Sequence, residues 1–232
     1  MHRLQPFGLA LCALLLLSAV AMQASVVTYN SQSGFDGATT GLSTQTFDGV
    51  AANAGVGPLG LGFVNNPLNN GTNSGMLPGL SINAFTNSGS DISVLGPNWF
   101  GFGLTNYSVF NSVYGPSNSG LTFSFGSGVS AASLNVLTLS SSADVIISVY
   151  DTSSALLGTF TLAGAPNSGA GEFWGVTSPD GIGSLSISAP GGPYVGVDQV
   201  QFGSAVPEPS SLLLLGTGVL GAVGAFRRKI NQ

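Results

Sequence analysis

Apolar and polar residues alternate in short runs along the middle of the chain, from residue 25 to residue 205. Residues 121–125 and 184–188 alternate with a period of two, which predicts β-strands with one buried face. Residues 145–150 are rich in β-branched side chains, and with residues 156–162 they predict a β-hairpin. Residues 25–205 contain no stretch of sustained helical periodicity. About ten or more strands at this spacing predict an all-β fold, an antiparallel β-sandwich or jelly roll.

The last predicted strand, residues 194–202, changes its pattern part-way along. Val195 and Val197 share one parity, whereas Val200 and Phe202 share the other. Because successive side chains of a strand point to opposite faces, an extra residue is needed between the two pairs if both are to face the core. We therefore expect a β-bulge or a local break near Asp198.

Two segments between the strands have the composition of turns and loops. Residues 65–75 are dominated by asparagine, glycine and serine or threonine, which predicts a polar, low-complexity loop. Residues 179–181 read Pro-Asp-Gly, which predicts a turn because proline presets φ and glycine tolerates a positive φ.

The N-terminal segment has the order of a secretory signal peptide. Arg3 precedes an apolar stretch at residues 7–20, and small residues follow it, with cleavage expected after Ala21 or Ala24. An uncleaved transmembrane anchor is the alternative, but the apolar stretch is short and ends in small residues. We predict a signal helix within residues 1–24, handled by the secretion machinery and signal peptidase.

The C-terminal segment, residues 206–232, contains three elements in a fixed order. The first is a Pro-Glu-Pro motif made by Pro207, Glu208 and Pro209. The second is an apolar stretch at residues 211–226, which predicts one short transmembrane helix near the lower length limit for spanning a bilayer. The third is a basic cluster of Arg227, Arg228 and Lys229. Because basic residues tend to remain cytoplasmic, residues 25–205 should lie outside the inner membrane.

This order of elements resembles the PEP-CTERM sorting signal, which is also labelled an ice-binding protein C-terminal domain. The resemblance implies recognition by an exosortase, a membrane protease-transpeptidase of Gram-negative bacteria that make exopolysaccharide. It also implies transient membrane anchoring, removal of the tail near the Pro-Glu-Pro motif, and delivery to the cell surface or extracellular matrix. A plain C-terminal anchor that follows a proline-rich linker is the alternative.

A looser similarity covers residues 121–203. The runs Phe-Trp-Gly-Val-Thr-Ser at residues 173–178 and Val-Asp-Gln-Val-Gln-Phe-Gly at residues 197–203 are similar to runs in extracellular domains that commonly precede this tail. Those domains resemble carbohydrate-binding jelly rolls. The similarity implies a domain of residues 25–205 that associates with exopolysaccharide or biofilm.

The distribution of charge excludes several classes of function. All four Lys and Arg residues and the single histidine lie in the terminal segments, so the charged side chains of residues 25–205 are all acidic. Without basic residues this domain cannot neutralise phosphates, which excludes nucleic acid as a partner. It also lacks the residues for a histidine-based triad, a histidine metal site or a lysine Schiff base. The only cysteine is Cys12, so no disulfide forms within the chain.

Two aspartates lie near the two ends of the predicted domain. Asp48 is near its start and Asp198 is near its end, and the first and last strands of jelly rolls often pair. Lectin-like jelly rolls often hold a structural Ca²⁺ through carboxylates and backbone carbonyls, so the two could share such a site. The alternative is that each accepts hydrogen bonds from local backbone amides in a turn or bulge. We expect no other cofactor.

The aromatic and glutamate residues suggest how the domain could meet a glycan. Trp99, Tyr107 and Trp174 could stack on sugars, although aromatic residues of this kind more often belong to the core. A glycosidase needs two carboxylates, and Glu172 with Asp180 is the pair considered, but no motif supports it. We therefore expect a non-catalytic surface or matrix protein, with a carbohydrate-binding module as the alternative and a glycan hydrolase as the less favoured one.

Overall fold

The alternating runs of the middle region form two antiparallel sheets. The computed structural model describes residues 26–57, 60–85, 92–101, 103–111, 120–139, 141–190, 194–206, 217–218 and 221. In chain order the strands are β1 (Val27–Tyr29), β2 (Thr39–Thr46), β3 (Leu61–Val64), β4 (Leu68–Asn69), β5 (Leu80–Phe85), β6 (Ile92–Leu95), β7 (Ser108–Asn111), β8 (Gly120–Phe125), β9 (Ala131–Thr138), β10 (Ala143–Tyr150), β11 (Leu156–Ala165), β12 (Glu172–Thr177), β13 (Ser184–Ser188) and β14 (Val195–Ala205). The helices are α1 (Gln32–Gly37), α2 (Asp48–Asn53) and a 3-10 helix (Trp99–Gly101).

The strands are arranged as a sandwich. The larger sheet has the order β1-β12-β9-β14-β7-β6-β3, with β2 also paired to β14, and the smaller has the order β11-β10-β13-β8-β5-β4. One apolar core takes residues from both sheets, such as Val136 and Val197 from the larger and Phe123 and Ile147 from the smaller. The predicted antiparallel β-sandwich is confirmed, and the predicted hairpin is formed by β10 and β11.

A second, smaller apolar cluster lies on the outer face of the larger sheet. On β7, Val109 belongs to the main core, whereas the next residue, Phe110, belongs to the second cluster. Because strand side chains alternate between faces, the two clusters lie on opposite sides of the sheet. The cluster consists of Leu95, Trp99, Leu104, Phe110, Leu137 and Leu139.

The expected irregularity in the last strand is present as a β-bulge. The register of β14 against β9 shifts between Val197 and Val200, so that Asp198 and Gln199 both lie opposite Asn135. The extra residue keeps the apolar residues on both sides of the bulge in the core. All four of them are buried: Val195, Val197, Val200 and Phe202.

The periodicity of the sequence does not reveal the two short helices. Each has six residues, which is less than two turns and too short to produce a recognisable period. The Ser31 side chain caps α1 by accepting a hydrogen bond from the Gly34 N–H at 3.3 Å. Helix α1 precedes β2 and buries Phe35, and helix α2 follows β2 and buries Val50.

The predicted terminal segments lie almost entirely outside the described residues. These are the signal peptide at residues 1–24 and the transmembrane helix at residues 211–226. Beyond residue 206, only residues 217, 218 and 221 are described, and they have helical backbone. Among the residues that the structure describes, no helix is both long and apolar enough to cross a membrane.

Two glycines allow α2 to pack against the polar loop of residues 65–75. A Cβ atom on Gly75 would lie 2.3 Å from the carbonyl carbon of Gly49 and 2.4 Å from the amide nitrogen of Val50. Both neighbours are backbone atoms, which cannot move aside as the end of a flexible side chain can. The contact between α2 and the loop therefore requires glycine at position 75.

Substitution of Gly75 by alanine should destabilise the fold. We expect Gly75→Ala to lower the free energy of unfolding by about 1–3 kcal/mol, the usual effect of overpacking. Gly37→Ala is the matched control, because a Cβ on Gly37 meets no atom within 4 Å. Denaturant-induced unfolding followed by tryptophan fluorescence would measure both variants. An unchanged midpoint for Gly75→Ala would contradict the close approach.

Candidate functional site

The bulge in β14 buries a carboxylate. Asp198 is 1% exposed, and its Oδ2 accepts a hydrogen bond from Asn106 Nδ2 at 2.9 Å. Its Oδ1 is buried without a hydrogen-bond partner. The pKa of Asp198 is raised to about 6, chiefly because burial disfavours the charged form; the hydrogen bond from Asn106 opposes this shift and the charge of Asp48 adds to it. Ionisation of a carboxylate held in this way is unfavourable, because the charge is buried and one of its oxygen atoms has no hydrogen-bond partner.

The pairing of β2 with β14 brings the second predicted aspartate towards the first. Thr46 at the end of β2 pairs with Gln199 in the bulge, and Asp48 begins α2 two residues later. Asp48 is exposed, and its charge acts on Asp198, so the two carboxylates lie within electrostatic range. The strand that approaches β14 is β2, however, and not the first strand, because β1 pairs with β12.

The described residues bring two carboxylates towards this site, Asp48 and Asp198. Among the described residues, no group of three or more His, Cys, Asp or Glu side chains could hold a metal ion. A cation between Asp48 and Asp198 would therefore also need neutral oxygen ligands from hydroxyl, amide or carbonyl groups. The calcium site itself stays a prediction.

The expected sugar-stacking role does not fit the two tryptophans. Trp99 is 8% exposed within the second cluster, and Trp174 is 6% exposed in the main core with its ring 5.7 Å from that of Phe160. Tyr107 is half-buried and packs against the main core. A sugar stacks on an exposed ring face, and the two tryptophan rings are used in packing instead. Both tryptophans therefore follow the alternative given for them in the sequence analysis, that such aromatic residues belong to the core.

The polar loop is more ordered than its composition suggests. Gln45 of β2 is 2% exposed and bridges two points of the loop region. Its Nε2 donates to the Gly75 carbonyl at 3.0 Å, and its Oε1 accepts from the Leu77 N–H at 2.7 Å. Within the loop, Asn70 Nδ2 donates to the Met76 carbonyl at 2.8 Å. Side-chain amides therefore supply hydrogen bonds to the loop backbone in addition to the short pairing of β4 with β5.

This ordered loop forms one wall of an open groove of about 390 Å³. Pairing of β5 with β8 forms the floor, where Ser81 lies opposite Ser124 and Leu80 lies opposite Phe125. The groove combines apolar surface with amide and hydroxyl groups, as small-molecule sites commonly do. In the sequence, the asparagine-rich run at residues 65–75 predicted a loop but did not indicate a groove. The lining residues are Asn69, Asn70, Gly71, Gly79, Leu80, Ser81, Ser124, Phe125 and Gly126.

The sandwich ends where the C-terminal tail begins. Strand β14 ends at Ala205, and the Val206 N–H donates to the Ala38 carbonyl at 2.9 Å. Residues 205–229 match the family model of the PEP-CTERM protein-sorting motif. The chain ends in a PEP-CTERM motif. This match confirms the resemblance, and it implies an exported, surface-sorted protein that is processed by an exosortase.

The PEP-CTERM motif lies beyond the described sandwich. Pro207, Glu208 and Pro209 are outside the described residues, and so is the basic cluster of Arg227, Arg228 and Lys229. Their roles in sorting and in membrane orientation stay predictions.

Solved structures with similarity to this chain are distant. A family 6 carbohydrate-binding module studied by sub-site dissection is 16% identical over 52% of this chain and 86% of its own, with a TM-score of 0.29. CsCBM6-3 from Clostridium stercorarium in complex with cellobiose is 18% identical over 55% and 84%, with a TM-score of 0.27. The K2 cleaved adhesin domain of Lys-gingipain is 12% identical over 77% and 99%, with a TM-score of 0.31. A comparison with curated proteins finds no match.

Burial of Asp198 should make the stability of the metal-free protein depend on pH. Its pKa is raised from 3.8 to about 6, so between these values the folded state keeps a proton that the unfolded state has released. The contribution of Asp198 to the free energy of unfolding therefore falls as the pH rises through this window, and above it the ionised carboxylate destabilises the fold.

Asp198→Asn removes this ionisation. In EDTA, the stability of the variant relative to the wild type should increase from about pH 4 to about pH 8, measured by denaturant-induced unfolding. Asp180→Asn in the exposed turn is the matched control for loss of one negative charge. The same stability difference at both pH values would show that Asp198 is not buried as an ionisable group.

Proposed function

We propose that this chain is a non-catalytic protein of the cell surface or extracellular matrix in a Gram-negative bacterium. An exosortase processes its tail, and the β-sandwich is the part that is delivered. The observation that carries the proposal is the position of the sorting motif, which begins at residue 205, where β14 ends.

The boundary between sandwich and tail supports release of an intact domain. β14 pairs with β9 along one edge and with β7 and β2 along the other, so the last strand of the domain lies inside a sheet. Pro207 has no N–H and cannot continue the ladder, which suits a domain boundary at this point. Cleavage beyond Val206 would remove no described strand of the sandwich.

The carboxylates of the domain support a non-catalytic role. A glycosidase needs a general acid with a raised pKa that can reach the glycosidic oxygen. Asp198 has a pKa raised to about 6, but it is 1% exposed and cannot reach a polysaccharide. Glu172 and Asp180 are exposed, on β12 and in the following turn. We therefore favour association with exopolysaccharide or biofilm without hydrolysis.

Carbohydrate binding is the second candidate function, and the groove of the smaller sheet is the observation that favours it. Its floor carries the hydroxyl groups of Ser81 and Ser124, and its wall carries the amide groups of Asn69 and Asn70. Hydroxyl and amide groups can both donate to and accept from sugar hydroxyls. This groove replaces the tryptophans as the candidate glycan site.

Glu208→Ala should block processing of the tail. We expect the variant to accumulate as a membrane-bound precursor, because the central residue of the Pro-Glu-Pro motif is removed. Glu172→Ala is the matched control, since it removes the other glutamate of the chain from an exposed position on β12. Membrane fractionation and intact-mass analysis would measure the precursor. Equal release of Glu208→Ala and wild type would indicate a plain C-terminal anchor.

Filling the groove should abolish glycan binding if the domain is a carbohydrate-binding module. Ser124→Phe places a ring on the groove floor, whereas Thr161→Phe adds the same ring to an exposed position of β11 on the same sheet. A glycan array supplemented with the host's own exopolysaccharide would compare them. Binding that survives Ser124→Phe would place the glycan site elsewhere, and absence of binding by the wild type would exclude this second function.

A further inference from the structure

Two buried oxygen atoms without partners lie at adjacent positions of the larger sheet. One is Asp198 Oδ1 and the other is Ser108 Oγ, and each residue is 1% exposed. Leaving a buried polar atom unpaired is costly, by about 1–3 kcal/mol for a neutral group and more for a charged one. Two such atoms at one place indicate a ligand that binds both.

The register of the sheet places the two side chains together. β14 pairs with β7 through Gly196 opposite Phe110 and Val197 opposite Val109. Asp198 and Ser108 are the residues that follow this last pair on the two strands, so continuing the register by one position sets them opposite each other. Directly opposed residues of an antiparallel pair have their side chains on the same face. That face is the outer one, because Val109 and Val197 both point into the main core.

The charge of the site also lacks a counter-ion. Asp48 acts electrostatically on Asp198, and both are acids. The described part of the chain contains no Lys, Arg or His, since all five such residues lie outside it. A bound water would satisfy hydrogen bonds but would not compensate two negative charges beside an apolar cluster.

We propose that Asp48, Asp198 and Ser108 bind a hard divalent cation at the bulge of β14, with Ca²⁺ as the ion that fits best. The set offers two carboxylates and one hydroxyl, and the remaining ligands would be backbone carbonyls and water. Ca²⁺ prefers oxygen ligands and tolerates irregular geometry, whereas Mg²⁺ requires a near-ideal octahedron. The ion can enter from the surface, because Asp48 and Asn106 are both exposed.

The cation also explains why the bulge carries an acid. A bulge at this position needs only an extra residue, and a neutral side chain would serve the packing equally well. An aspartate held there destabilises the metal-free fold and stabilises the metal-bound one. The two states of the site should therefore differ in stability, independently of any processing of the tail.

The test is calcium-dependent unfolding of the full exported chain, purified in detergent and treated with EDTA. For dissociation constants of 10⁻⁴–10⁻³ M, typical of extracellular modules, 10 mM CaCl₂ should lower the unfolding equilibrium constant about 10- to 100-fold. MgCl₂ should have a smaller effect, and NaCl at equal ionic strength should have none. Isothermal titration calorimetry with CaCl₂ would give the stoichiometry, expected to be one ion per chain.

Three variants locate the ion. Asp48→Asn leaves the fold intact because Asp48 is exposed. It should nevertheless reduce the effect of CaCl₂ on the unfolding equilibrium constant at least tenfold. Asp198→Asn should abolish the response, and Ser108→Ala should reduce it. Asp180→Asn is the matched control and should respond as the wild type does. Equal effects of CaCl₂ and NaCl on the wild type, or a full calcium response in both Asp48→Asn and Asp198→Asn, would overturn the proposal.

Discussion

Strand β14 is the element on which the rest of the larger sheet depends. Along one edge it pairs with β9, and along the other it pairs first with β7 and then with β2. Residues from the beginning and the end of the domain therefore meet at its centre. The bulge at Asp198 and Gln199 lies where the neighbour changes from β7 to β2. The extra residue lets the two halves of the strand, each with its own neighbour, keep their apolar side chains in one core.

The same bulge decides the electrostatics of the domain. It buries the Asp198 carboxylate on the face of the sheet that also carries the second apolar cluster, with Asn106 as its hydrogen-bond partner. The domain has no basic side chain in its described part, so no described side chain can neutralise this carboxylate by an ion pair. Among the described residues Asp198 is the buried acid, and such a group depends on protonation, water or a cation.

The architecture also suits the sorting motif. β14 is internal to its sheet and pairs with β9 as far as Gly203 and with β2 as far as Ala205, where the strand ends. The sorting motif, which matches residues 205–229, therefore begins where the last described strand of the sandwich ends.

Local patterns in the sequence determined the sandwich class, the β10–β11 hairpin, the bulge at Asp198 and the sorting motif, because each is encoded within a few consecutive residues. Other features depended on packing between segments that are distant in the sequence, and local periodicity carries no information about such packing. Only the tertiary structure decided that α1 and α2 form, that Gln45 organises the polar loop into a groove wall, and that Trp99 and Trp174 are buried. It also decided that β2, and not β1, brings Asp48 towards the bulge.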